Sequence, residues 1–102
     1  PSFGYHAADH HSVIANQPTM TNESIAWTDS LYRSRMRSLL SVDDLIAAMA
    51  DELKTLGVLE DTVIMLTSDH GYALGQLNQP SGKWQVYDHI TRVPFYVRPA
   101  GG

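Results

Sequence analysis

The chain has 102 residues, 43% of them hydrophobic and 18% charged, which is the make-up of one ordinary globular domain at most and excludes a disordered tail. Seven basic residues stand against eleven acidic ones, and the net charge of -4 makes a poor surface for a polyanion, so no nucleic-acid partner is expected. Cysteine is absent, which removes disulfides and thiolate metal sites, and no apolar run approaches the roughly 20 residues that span a bilayer, so no membrane partner is expected.

Residues 1–24 are rich in His, Ser, Asn, Thr and Pro without sustained periodicity and read as an irregular segment. The opening Pro1-Ser2-Phe3-Gly4 has neither an initiating methionine nor a signal-like stretch. Together with the Gly101-Gly102 ending, it predicts a piece of a longer protein. Asn22-Glu23-Ser24 has the form of an N-glycosylation acceptor, meaningful only on a eukaryotic secretory route.

Leu39, Val42, Ile46, Met49, Leu53 and Leu56 recur at alternating spacings of three and four, one face of an α-helix, and Leu40, Leu45 and Ala50 widen the stripe. The helix is predicted to begin near Asp29 or Ser30, with Ser41-Val42-Asp43-Asp44 as an alternative start, and to end at Leu56 before Gly57. Val63-Ile64-Met65-Leu66-Thr67 follows as a strand buried on both faces, half of a βαβ crossover in a parallel sheet. Residues 72–89, with Gly75, Pro80 and Gly82, form a long irregular loop of the kind that carries function. A second strand spans Val93–Val97, with Pro94 at its start or on an edge because proline donates no ladder hydrogen bond.

Ser68-Asp69-His70-Gly71 lies where the first strand gives out, and ligands in open α/β sheets gather beyond strand carboxyl ends. A carboxylate and an imidazole are donors for a divalent cation: oxygen suits calcium or magnesium, and the neutral imidazole widens the choice towards manganese or zinc. The bland reading makes Asp69 a turn cap and His70 a solvent-facing side chain. Lys83, after Ser81-Gly82, offers a point charge for an oxyanion or a departing oxygen, against the alternative of a solvated surface lysine. His6, His10 and His11 read as surface histidines, since no Glu sits between His6 and His10 in the HExxH manner. Arg33, Arg35 and Arg37 spread over several helix faces. Trp27, Tyr32, Trp84 and Tyr87 suit either sugar stacking or packing, with packing the commoner use.

The stretch from Pro18 to Gly101 resembles the type I sulfatase family, in its N-acetylglucosamine-6-sulfatase and extracellular endosulfatase branch. The likeness is carried by Arg37-Ser38-Leu39-Leu40-Ser41-Val42-Asp43-Asp44 and Thr67-Ser68-Asp69-His70-Gly71-Tyr72. It continues through Gly75-Gln76, Gly82-Lys83, Tyr87-Asp88 and Arg92-Val93-Pro94-Phe95. The resemblance implies an α/β class: part of an alkaline-phosphatase-like α/β/α sandwich, with residues 1–102 as the C-terminal portion of a partial catalytic domain. It implies hydrolysis of sulfate esters on sulfated carbohydrates, including glycosaminoglycans, by a formylglycine nucleophile with a bound calcium ion. By position, Asp69 and His70 match a metal-ligand pair and Lys83 matches the lysine that meets the sulfate and the departing ester oxygen. An extracytoplasmic location (periplasmic, secreted or lysosomal) is implied as well.

The family's Cys-x-Pro-x-Arg motif and its Ser-x-Pro-x-Arg substitute are both missing from the 102 residues, so the chain alone is expected to be inactive. Asp43-Asp44 falls within the helical segment and is not the family's paired aspartates. A phosphodiesterase or phosphonate hydrolase of the same superfamily, with manganese or zinc, is the alternative enzyme reading. A noncatalytic binding module that keeps the fold without a nucleophile is the alternative from another class. No oligomeric state follows from the sequence.

Overall fold

The computed structural model describes residues 8–102; the expectation for His6 lies outside them. A one-turn helix α1 (Ser12–Ala15) leads to the long helix α2 (Asn22–Thr55). Strand β1 (Ile64–Thr67), helix α3 (Asp88–Thr91) and strand β2 (Phe95–Arg98) follow, with short 3-10 turns at Leu59–Asp61 and Gln76–Asn78.

Helix α2 starts seven residues before the predicted Asp29. Thr21 caps it: its hydroxyl oxygen accepts the Ser24 N–H at 3.1 Å and its carbonyl accepts the Ile25 N–H at 2.9 Å. The start expected at Ser41 is absent, because that residue sits in uninterrupted helix. The other end is as expected. Gly57 takes a φ of 72°, which a side chain would oppose, and Val58 and Gly57 donate back to the carbonyls of Leu53 and Lys54 at 3.0 Å each.

The described residues group into two compact units. One comprises the residues up to Arg33 together with His70–Arg92; the other comprises Ser34–Asp69 and Val93–Gly102. In the second unit β1 and β2 pair antiparallel, with Ile64 opposite Arg98 and Thr67 opposite Phe95. This corrects the parallel, doubly buried strand read from the apolar run. Pro94 precedes β2, so its missing N–H costs the ladder nothing, and its carbonyl accepts from the Thr67 hydroxyl at 3.0 Å. Arg98 ties the turn after α2 to the sheet, donating to the Leu59 carbonyl and to the Glu60 carboxylate at 3.0 Å each.

Two strands of four residues leave both sheet faces open, and Met65 is 64% exposed although its neighbours are as apolar as a buried strand's. The predicted core stripe of α2 is uncovered in the same way, with Leu45 60% exposed. Among the described residues, the buried apolar ones are instead Ile14, Ala73 and Ile90, all in the first unit. So much apolar surface predicts that the 102-residue chain by itself self-associates. Light scattering is expected to show oligomers or aggregates at micromolar concentration; a monodisperse monomer would contradict that expectation. Among the described residues, no helix is long and apolar enough to cross a membrane.

Candidate active-site segment at the exit of β1

β1 ends at Thr67, and the chain leaves it through Ser68 and Asp69. Asp69 is exposed, and the Ser68 hydroxyl lies at the limit of hydrogen-bond distance, 3.5 Å, from its carboxylate. His70, the next residue, begins the first unit's second segment and is half-buried.

The His70 ring makes two polar contacts that orient it. Nδ1 lies 2.7 Å from the Gly71 carbonyl oxygen, which can only accept, so Nδ1 carries the proton. Nε2 then presents a lone pair, and the Lys83 ammonium donates to it at 2.8 Å. This is the tautomer of a metal-ligating histidine, with the far nitrogen tied to a carbonyl and the near one facing the Lys83 ammonium. The structure thus brings together His70 and Lys83, thirteen residues apart, within one unit. Asp69 adjoins them through the peptide bond.

Gly71 makes that arrangement sterically feasible. Its N–H donates to the Ile90 carbonyl, and a Cβ built on it would run into the His89 carbonyl oxygen and come within 3.0 Å of the Ile90 Cα, both backbone atoms of α3. Gly71→Ala is therefore expected to push α3 away and release the His70 ring from its anchor. In the full-length protein we expect a lowered unfolding midpoint and metal affinity reduced about 10- to 100-fold, the range for losing a ligand's orienting partner. Calorimetry against a metal titration checks both, and unchanged values in both would refute the role given to Gly71.

Lys83 is positioned from the other side of the loop. Ala73 and Gly82 exchange both backbone hydrogen bonds, at 2.7 and 3.1 Å, so the segment closes on itself one residue before Lys83. Within it, Leu77 and Asn78 take successive left-handed conformations, with φ of 55° and 56°. Asparagine tolerates this region; leucine does not, and holding it there costs roughly 1–2 kcal/mol. Strain of this size persists where surrounding contacts over-determine the backbone, and it concentrates at functional loops.

The remaining sequence candidates fall outside this cluster. His11 caps α1 by accepting the Val13 N–H at 3.3 Å. His10 is hydrogen-bonded to the Tyr87 hydroxyl at 2.7 Å and stacked on its ring, which in turn stacks on His89. That aromatic stack joins α1 to α3 and left no signal in the spacing. Among the described residues, no three His, Cys, Asp or Glu side chains gather as a metal site. Asp69 and His70 nonetheless fit one as partial donors: a carboxylate oxygen and a neutral imidazole nitrogen are the ligand types that divalent cations take. The packing expected of the tryptophans is not found. Trp84 and Trp27 are both exposed.

Asp69 ends the second unit's first segment at the exit of β1, and His70 and Lys83 lie 2.8 Å apart in the first unit. The family model for Sulfatase matches residues 3–102. The chain is 41% identical over 101 residues to the human N-acetylglucosamine-6-sulfatase, an alignment that takes in 98% of this chain and 18% of that protein. It is 43% identical over 75 residues to the extracellular sulfatase SULF-1 homolog of Drosophila melanogaster, covering 74% of this chain and 7% of that one. It is also 35% identical over 94 residues to the arylsulfatase of Volvox carteri, covering 92% and 14% respectively. No solved structure gives a significant match. The chain belongs to the sulfatase family. It spans about a fifth of the length of the N-acetylglucosamine-6-sulfatases it matches.

Proposed function

We propose that this chain is part of an extracytoplasmic sulfatase with an alkaline-phosphatase-like fold, which releases sulfate from sulfated sugars. The observation that carries the reading is the Lys83 ammonium 2.8 Å from the Nε2 of a His70 whose other nitrogen is anchored. A loop lysine and a metal-type donor stand within reach of each other there, and a bound cation would displace the lysine from Nε2. The names of the relatives support the substrate class: one acts on N-acetylglucosamine-6-sulfate, others are an extracellular sulfatase and an arylsulfatase.

In this reading Asp69 and His70 are two of the ligands of one calcium ion, which when bound supplies Lewis-acid polarisation of the sulfate oxygens. The Gly71 carbonyl keeps the His70 proton on Nδ1, so that Nε2 stays a donor. Lys83 leaves His70 to meet the sulfate and neutralises the charge that develops on the departing ester oxygen. The 102 residues contain no cysteine and no Ser-x-Pro-x-Arg sequence. The formylglycine nucleophile therefore comes from elsewhere in the protein, and the chain on its own is expected to release no sulfate.

The test is sulfate release by the full-length protein from N-acetylglucosamine 6-sulfate, before and after chelation and calcium restoration. Calcium-dependent release is expected. Hydrolysis of a phosphodiester with manganese or zinc, and none of the sulfate ester, would overturn the reading in favour of a phosphoesterase.

A further inference from the structure

His70 Nε2 serves two partners in the proposed chemistry, and it has one lone pair to give. A lysine ammonium has no acceptor, so the 2.8 Å contact makes Lys83 the donor and Nε2 the acceptor. Coordination of a divalent ion draws on the same lone pair. The two occupants therefore exclude each other. The backbone on either side of the contact is fixed. Gly71, beside His70, donates to the Ile90 carbonyl, and buried Ala73 exchanges two hydrogen bonds with Gly82, the residue before Lys83. The Lys83 side chain is exposed and carries its charge on a flexible stem. Its head group can leave His70 without breaking packing or backbone hydrogen bonds. Exchange at Nε2 is thus a rotamer change of one exposed side chain.

We propose that the Lys83–His70 contact couples cation binding to oxyanion binding, each ligand strengthening the other by taking one partner of the contact. The inference rests on the reading of His70 as a calcium ligand and of Lys83 as the group that meets the sulfate. A cation on Nε2 sets the ammonium free, and an oxyanion on the ammonium sets Nε2 free. Linkage makes the two effects equal: the factor by which sulfate raises calcium affinity is the factor by which calcium raises sulfate affinity. The same logic gives Lys83 an unusual sign. A lysine that only served the substrate would leave calcium affinity alone, whereas a competitor for Nε2 lowers it. Its removal is therefore expected to tighten calcium binding. Simple repulsion between the ammonium and the cation has the same sign but falls away as salt screens it. Competition for a lone pair at hydrogen-bond distance persists.

The experiment is a calorimetric calcium titration of the full-length protein and of Lys83→Met, which keeps the apolar stem and drops the charge and the donor. Each is run with and without inorganic sulfate, at about 0.15 and about 1 M salt, where screening lengths are about 8 and 3 Å. Without sulfate, Lys83→Met is expected to bind calcium about three- to ten-fold more tightly than the parent at both salt concentrations, the span of one net hydrogen bond. Sulfate is expected to raise the parent's calcium affinity about three- to ten-fold more than the variant's, because direct attraction between calcium and sulfate remains in both and the exchange at Nε2 only in the parent. Equal calcium affinity in the two proteins, or a gain in the variant that vanishes at high salt, would overturn the coupling; sulfate-ester hydrolysis by the parent would then still uphold the sulfatase reading. The expected affinities with no sulfate-ester hydrolysis would uphold the coupling and remove that reading. Calcium bound by neither protein would overturn both.

Discussion

Lys83→Ala in the full-length protein is expected to lower sulfate-ester turnover by about 10²- to 10³-fold while leaving bound metal in place. The magnitude is that of removing one preorganised donor from a developing oxyanion. The side chain is exposed, so no buried packing is lost and the fold is not at stake. Its head group is also poised, resting 2.8 Å from His70 Nε2. A cation that takes His70 must displace the ammonium, and the closed Ala73–Gly82 bridge limits how far it can go. Lys83→Arg is expected to recover little, because a planar fork and a compact point charge are not interchangeable against the same oxygen. Steady-state kinetics with metal analysis on the same preparation checks this. Turnover equal to the parent's would remove Lys83 from the reaction, and lost metal would make it a structural support of the cation site.

The second large effect is at Asp69. Asp69→Ala is expected to lose calcium and turnover together, by more than the roughly 10- to 100-fold that the loss of an outer partner costs. Asp69 is exposed, so its replacement is expected to leave the stability of the metal-free protein within about 0.5 kcal/mol. That combination distinguishes a ligand from a turn cap. A cap residue would lower the midpoint and spare the metal. Calcium titration by calorimetry, paired with thermal unfolding in chelator, separates the two.

What could be read from sequence follows how local each cause is. The helix and the end of α2 were legible because a periodic stripe and a left-handed glycine act over a few residues, but the burial read from that stripe was not found. Its start was missed because Thr21 caps through Ser24, without the glutamate that marks a capping box. The strand was legible from its apolar run, but its pairing was not: β1 meets β2 nearly thirty residues on, and the antiparallel register depends on a partner that a local window does not contain. The same run predicted burial that two strands cannot provide. At the candidate site, Asp69 and His70 stood out in the sequence because they are adjacent and follow an apolar run, and the structure places them at the exit of β1. The Lys83–His70 contact and the His10–Tyr87–His89 stack are products of chain folding over 13 and 77 residues. No spacing rule carries them. The family resemblance raised Lys83 above a surface lysine, and the structure sets its ammonium against the His70 ring.

The most direct measurement is a long-wavelength diffraction experiment on crystals of the full-length protein grown with calcium. The account predicts an anomalous peak about 2.3–2.6 Å from an Asp69 carboxylate oxygen, with His70 Nε2 turned to the same ion and Lys83 drawn off it. A calcium peak elsewhere in the protein, with Lys83 still seated on His70, would contradict it.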